Sequence, residues 1–209
     1  MFEIVRTLKE ADRNCDFVAL GLGHTVDGGT HSTIIINYES TLYQFHFTGK
    51  IEFCNVCHDF FHKITDTINT KLTPSFYAYC RRIEKKANPI YGYFYSGEFY
   101  DKNGTHFADK PIGERMTCVG FCLNVLKGFL EEDYILYQDW DETSHNYSGY
   151  LIKYAEKYNL NIEEISNSHR RITPLELITS AFFTNIPIKK LNIDSKIDQV
   201  QEYIYNNYL

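Results

Sequence analysis

The sequence predicts an α+β fold in which a small antiparallel sheet packs on a central helix. Strand-like runs are concentrated between residues 16 and 47, and one strongly apolar helix follows Thr117. Further helical patterns fill the last third of the chain. Sheet and helices must bury their apolar faces against each other, so these observations predict a layered domain with extra C-terminal helices.

The predicted strands begin with residues 16–23, an apolar run that ends in glycine, as is typical of a buried strand. From His31, two β-rich runs joined by the polar turn 37–41 predict an antiparallel hairpin. Apolar residues spaced by three or four predict helices within 51–86. The alternation of aromatic and small residues in 90–100 predicts another strand.

The predicted central helix begins at a clear start signal. Thr117 is a good N-cap, and residues 119–130 are apolar on nearly every side, which is typical of an enclosed helix. Further helices are predicted at 146–158, 173–183 and 195–208. The length favours a single domain over residues 1–209, in which 145–209 form a helical C-terminal extension.

The composition favours a packed soluble protein, with 44% hydrophobic and 23% charged residues. The net charge is −6 and the basic residues are scattered, so nucleic acid is not an expected partner. The N-terminus lacks the apolar core of a signal peptide, and no run reaches the roughly eighteen apolar residues of a membrane span. These features predict a cytoplasmic location without a membrane span.

The cysteines are interpreted as free thiols, catalytic groups or metal ligands, because no export signal accompanies them. There are six, at positions 15, 54, 57, 80, 118 and 122. The segment Cys54-Asn55-Val56-Cys57-His58 formally matches a haem-attachment motif, and with His62 it could supply metal ligands. We favour structure or chance for this short motif. No cofactor and no metal are expected.

Cys118 is the candidate nucleophile because it opens the central helix. Free backbone N–H groups and the positive end of the helix dipole favour the thiolate there, and the thiolate is the reactive form of cysteine. Packing in the core is the alternative, since cysteine is among the most buried residue types. Cys122, one turn later, is expected to pack in the core.

His31 is the candidate base, since a thiol nucleophile needs a proton acceptor within hydrogen-bond reach. The base in turn needs a polar group that holds its ring, and Gln44 and His46 share one face of the next strand. We favour His46 for this role and expect Gln44 to border the substrate. His24 and Trp140 are further candidates for substrate binding; Asp139, Asp141 and His145 surround Trp140 in a polar loop.

These motifs resemble the NlpC-type branch of the papain-like cysteine peptidases and amidases. That family has Asp/Asn-Cys-Ser-x-Phe-Val on a helix, and Thr117-Cys118-Val119-Gly120-Phe121-Cys122 is similar to it. Its histidine motif, His-Val-Gly-Ile-Tyr followed by a strand ending in His-Ala, is similar to the segment that begins at His31 and to Phe45-His46-Phe47. Thr117 stands where the family has Asp or Asn, and Thr33 where it has Gly.

The histidine precedes the cysteine here, as in the circularly permuted branch that includes lecithin:retinol-acyltransferase-like proteins and bacterial thiol hydrolases. The resemblance covers about residues 16–130. It implies a papain-like fold with Cys118 as nucleophile, His31 as base and His46 as the orienting residue.

The function that follows is a cysteine hydrolase that cleaves an amide or ester bond through a thioester. Its expected partner is a peptide, amide or lipid-ester substrate. The same Cys118–His31 pair could instead serve an acyltransferase, and a catalytically silent binding protein of the same fold is a further alternative. A metal-binding module built on Cys54, Cys57, His58 and His62 is the last.

Overall fold

The computed structural model describes residues 3–24, 29–92, 97–108, 113–140, 148–163 and 170–207. Its architecture is mixed α+β, as the sequence predicts, and rests on an antiparallel sheet of six strands. In chain order these are β1 (Val5–Arg6), β2 (Phe17–His24), β3 (Thr30–Tyr38), β4 (Thr41–Phe47), β5 (Ile51–Asn55) and β6 (Phe61–Ile64). Their order across the sheet is β1-β6-β2-β3-β4-β5.

Two short ribbons and a set of helices complete the described architecture. One ribbon pairs β7 (Ile90–Tyr91) with β10 (Arg115–Met116) in parallel, and the other pairs β8 (Phe99–Tyr100) with β9 (His106–Phe107) antiparallel. The helices are α1 (Thr73–Lys86), α2 (Cys118–Leu130), α3 (Ser148–Tyr158), α4 (Pro174–Ser180) and α5 (Lys190–Asn207). The strand predicted over 90–100 is thus divided between β7 and β8, and residues 93–96 lie outside the described part.

The main apolar core lies between one face of the sheet and the helices. Leu20, Ile34 and Phe45 are paired across β2, β3 and β4, and directly paired side chains point to the same face of a sheet, here the face toward the core. The Phe45 ring meets the Phe121 ring of α2 at a centroid distance of 4.9 Å. Helices α1 and α2 therefore cover the sheet over β3, β4 and β5.

The β3–β4 hairpin confirms the predicted turn and fixes which residues face each other. The pairing runs from Tyr38 opposite Thr41 to Thr33 opposite His46. The connection is made by Glu39 and Ser40, both with positive φ (50° and 61°), which is the backbone geometry of a tight two-residue hairpin turn. The far end of the hairpin carries His31.

The prediction of helices throughout 51–86 is wrong for its first part. Residues 51–55 and 61–64 form strands β5 and β6, and the described α-helix begins only at Thr73. In β5, buried Ile51 and Phe53 alternate with exposed Glu52 and Cys54, which is the two-residue period of a strand. The spacing of three and four arose because two strands and their connecting loop were read as one element.

The C-terminal helices pack on the structure that precedes them. Helix α4 contacts β2, β3 and β6, and α5 contacts α4. Ile178 and Ile204 from these helices join Leu22 and Phe61 of the sheet in a second apolar cluster. No helix among the described residues combines the length and apolar character needed to span a bilayer.

Candidate active site

The first turn of α2 places Cys118 at the edge of the main core. The Thr117 hydroxyl accepts a hydrogen bond from the Gly120 N–H at 3.1 Å, so the predicted N-cap is present. Cys118 is 8% exposed, whereas Cys122, one turn further on, is fully buried. Of the two thiols on this helix, only that of Cys118 reaches a surface.

Ser32 is the polar neighbour of the Cys118 sulfur. On the β4 side the pairing of β3 stops at Thr33 opposite His46, one position short of Ser32, which is paired with Leu22 on the β2 side. The Ser32 backbone is therefore available to the sulfur on the β4 side. The Ser32 N–H and hydroxyl both act on Cys118 in the direction that favours the thiolate. Among the described residues this buried hydroxyl has no hydrogen-bond partner of ordinary length.

His31 turns to the other side of β3, toward the neighbouring strand. Its Nε2 lies 2.9 Å from Nδ1 of His46, and the two rings meet edge to face at a centroid distance of 5.1 Å. A neutral imidazole donates through one nitrogen and accepts through the other. The contact with His46 therefore uses Nε2 of His31 and leaves Nδ1 for another group.

His46 is itself contacted by Gln44 of its own strand and by Glu52 of the neighbouring strand β5. Its Nε2 lies 3.3 Å from the Gln44 amide nitrogen and 3.4 Å from a carboxylate oxygen of Glu52, its partner in the β4–β5 register. The predicted shared face of Gln44 and His46 is present in this register. Glu52 joins the group because β5 is a strand and not a helix.

A cavity of about 750 Å³ has Cys118 and His31 in its lining. The sequence-distant nucleophile and base candidates thus share one solvent-reachable space. Phe47, Tyr91 and Arg171 also contribute to its walls. The hydrogen bonds of the described residues include none between the Cys118 sulfur and the His31 ring.

Burial is the main influence on the pKa values of His31, His46 and Cys118. It lowers the pKa of His31 to about 4, with a smaller effect of the nearby His46 in the same direction. It also lowers the pKa of His46, which the charge of Glu52 opposes. Burial raises the pKa of the Cys118 thiol, although N–H groups of Ser32, Val119 and Cys118 itself oppose this. In the free protein the site therefore rests with a neutral imidazole and a protonated thiol.

The two other predicted substrate-binding residues lie elsewhere. Trp140 is 3% exposed, and its indole N–H donates to Glu176 at 3.0 Å, which is a packing role in the core. His24 lines a separate apolar cavity of about 420 Å³ with Leu22 and Ile204. Asp141 and His145, predicted to form a polar loop with Trp140, lie outside the described residues.

The Cys54, Cys57, His58 and His62 segment does not form a ligand set. Cys54 and Cys57 are exposed, and His62 is buried in β6, where its ring stacks on Phe17. Within the described ranges, no three His, Cys, Asp or Glu side chains are grouped so that they could hold a metal ion. Cys54 lies in β5 and His62 in β6, and Cys57 and His58 lie in the connection between these strands.

Ser32 and Glu52 are the neighbours of the site that sequence reasoning missed. Ser32 follows His31 directly, and strand alternation places its side chain on the other face of β3 from His31, toward Cys118. The position of Glu52 beside His46 follows only from the pairing of β5 with β4. The buried–exposed alternation of residues 51–54 was the available signal for that strand.

Comparison of the chain with protein-family models, curated proteins and solved structures found no match.

Proposed function

We propose that this chain is a papain-like thiol hydrolase of the permuted type, in which Cys118 attacks an amide or ester carbonyl. The observation that carries the proposal is that His31, joined to His46 at 2.9 Å, lines a cavity that also has Cys118 in its wall. A thiol at a helix start, a base and an orienting group are the three parts that such chemistry requires.

In the first step, Nδ1 of His31 takes the thiol proton as the Cys118 sulfur bonds to the carbonyl carbon. Expulsion of the amine or alcohol, which receives that proton from His31, leaves an acyl thioester. Water then attacks the thioester carbon, gives a proton to His31, and releases the acid as the sulfur regains its proton. The Cys118 backbone N–H at the start of α2 is placed to stabilise the oxyanion in both steps.

An imidazole with a pKa of about 4 is unprotonated at neutral pH, but it is a weaker base than one whose pKa lies near 7. Proton transfer from Cys118 to His31 therefore has to accompany the bonding of the sulfur to the carbonyl carbon. In free enzymes the bond between nucleophile and base is often long and tightens only with bound substrate. Cys118 and His31 line the same cavity, so a substrate bound there would contact both residues.

The test uses p-nitrophenyl acetate as acyl donor and iodoacetamide as thiol probe, with each cysteine followed by peptide mass spectrometry. We expect an acetyl thioester on Cys118, and we expect His31→Gln to slow both reactions of Cys118 by about a hundredfold, the usual contribution of a general base. His58→Gln, on an exposed loop, is the control and should react like the wild type. Equal Cys118 reactivity in wild type and His31→Gln would contradict the proposal.

A further inference from the structure

Both ring nitrogens of His46 are engaged, and this restricts how its proton can be placed. Nδ1 faces Nε2 of His31 at 2.9 Å, and Nε2 faces the Glu52 carboxylate at 3.4 Å and the Gln44 amide at 3.3 Å. A neutral imidazole carries one proton, so only one of the two nitrogens can donate. A neighbour that can only accept a hydrogen bond favours a proton on the His46 nitrogen that faces it.

Glu52 is that neighbour. An ionised carboxylate has no proton to donate, whereas an amide can present either its oxygen or its NH₂ group. The carboxylate therefore favours a proton on Nε2 of His46 and leaves Nδ1 as the acceptor. In the present orientation the Gln44 amide nitrogen faces both Nε2 of His46 and the Cys54 sulfur, each at 3.3 Å. Rotating the amide by 180° presents its oxygen to a proton on Nε2 of His46 instead, so the tautomer favoured by Glu52 requires this rotation.

The tautomer of His46 determines the tautomer of His31. If Nδ1 of His46 accepts, Nε2 of His31 must donate, and the lone pair of His31 is then on Nδ1. With the opposite tautomer of His46, the His31 proton would occupy Nδ1 and the residue could not act as a base from that atom. One carboxylate at the outer strand thus decides whether the inner histidine has a lone pair to offer.

We propose that Glu52 is a positioning residue that, through His46, sets the tautomer in which His31 can take the proton of Cys118. This inference rests on the proposed thiol-hydrolase function and adds a fourth member to its site. The chain of contacts runs from the cavity across β3 and β4 to a half-exposed carboxylate on β5.

The other charged groups around Glu52 provide the matched control. Lys50, Lys85 and Glu84 line the same shallow outer cavity as Glu52. Glu84 pairs with Arg81 instead of His46, so Glu84→Gln removes the same charge and leaves the Glu52–His46 contact in place. It should leave the reactivity of Cys118 unchanged.

The experiment measures the rate of Cys118 alkylation by iodoacetamide, from pH 6 to pH 9, in the intact chain. We expect Glu52→Gln to slow the reaction roughly tenfold near pH 7, the lower end of the losses seen when outer partners of functional histidines are removed. The difference should shrink as the pH rises, because the thiol then loses its proton to solvent without help. Glu52→Asp should restore part of the rate.

A second background tests the route through His46. In His46→Asn the side-chain oxygen can accept from His31 whatever stands at position 52, so Glu52→Gln should cause no further loss there. A further tenfold loss in that background would overturn the inference, as would a wild-type rate in Glu52→Gln alone. Loss of the His31→Gln effect would instead contradict the proposed function, so the two failures are distinguishable.

Discussion

At the first turn of α2, burial and hydrogen bonding act on the Cys118 thiol in opposite directions. Burial raises its pKa, and the Ser32 backbone and hydroxyl lower it, together with the first N–H groups of the helix. Burial is the larger effect. The reactivity of this residue therefore depends on the few donors near the sulfur and on a base that removes its proton.

Ser32→Ala should raise the pKa of Cys118 without disturbing the fold. The substitution removes a buried hydroxyl that favours the thiolate, so the Cys118 pKa should rise further and its alkylation at pH 7 should slow by about threefold. The measurement is the alkylation rate of Cys118 against pH. Thr33→Val deletes a hydroxyl from the next residue, whose side chain faces the other way, and should leave the rate unchanged. An unaltered rate in Ser32→Ala would show that the backbone N–H groups alone act on the sulfur.

At the scale of elements, α2 is held close to β8 by a residue without a side chain. A β-carbon at Gly128 would overlap the Tyr100 carbonyl oxygen, which also accepts a 2.7 Å hydrogen bond from the Tyr79 hydroxyl. Helix α1, helix α2 and the β8 ribbon therefore meet at one point. The position of Cys118, at the other end of α2, depends on this close contact.

Gly128→Ala should destabilise the protein by about 3 kcal/mol, because the backbone of β8 or the whole helix must move. For a chain of this size that is a fall in Tm of roughly 6–12 °C, measured by thermal unfolding. Gly23→Ala is the matched control, since the nearest atom to its new β-carbon lies at an ordinary 3.6 Å. Equal Tm values for the two variants would mean that α2 does not depend on this contact.

The elements that sequence reasoning located best carry their own local signals. Thr117 and Thr173 mark helix starts through side-chain caps that the structure contains. The apolar residues of β5 also fit the three- and four-residue spacing of a helix. The segment forms a strand because it pairs with β4. The contact of His31 with His46 was predictable from the hairpin register, whereas the contact of Glu52 with His46 depends on a third strand that the sequence pattern concealed.

At the scale of the whole molecule, the face of the sheet that carries the His31–His46 pair also buries His62. His62, 1% exposed, bonds through Nδ1 to the Thr7 hydroxyl at 3.0 Å, and that hydroxyl donates to the Phe60 carbonyl. Among the described residues the Nε2 of His62 has no hydrogen-bond partner, and burial lowers the pKa of the ring to about 4. A proton on Nε2 would place a charge in a buried position, and the nearby Asp59 carboxylate offsets only part of that cost.

This predicts a loss of stability in mild acid. The folded pKa of His62 lies below the unfolded value near 6.5, so its contribution is complete above pH 6.5 and declines as the pH falls toward 4. His62→Gln should reduce the fall in the free energy of unfolding between pH 6.5 and pH 4 by on the order of 3 kcal/mol. Denaturant unfolding at pH 7 and pH 4.5 measures it. His58→Gln, on the exposed loop, should follow the wild type, and identical slopes for His62→Gln and wild type would refute the assignment.

The Glu39–Ser40 turn lies at the far end of the hairpin from the histidine pair. Tyr38 lies seven positions after His31, which is roughly 23 Å along an extended strand. Both turn residues are exposed. A fluorophore or surface tether attached at position 40 would therefore leave the cavity mouth unobstructed, and a sensor chip could hold the protein by this tip while candidate substrates flow past.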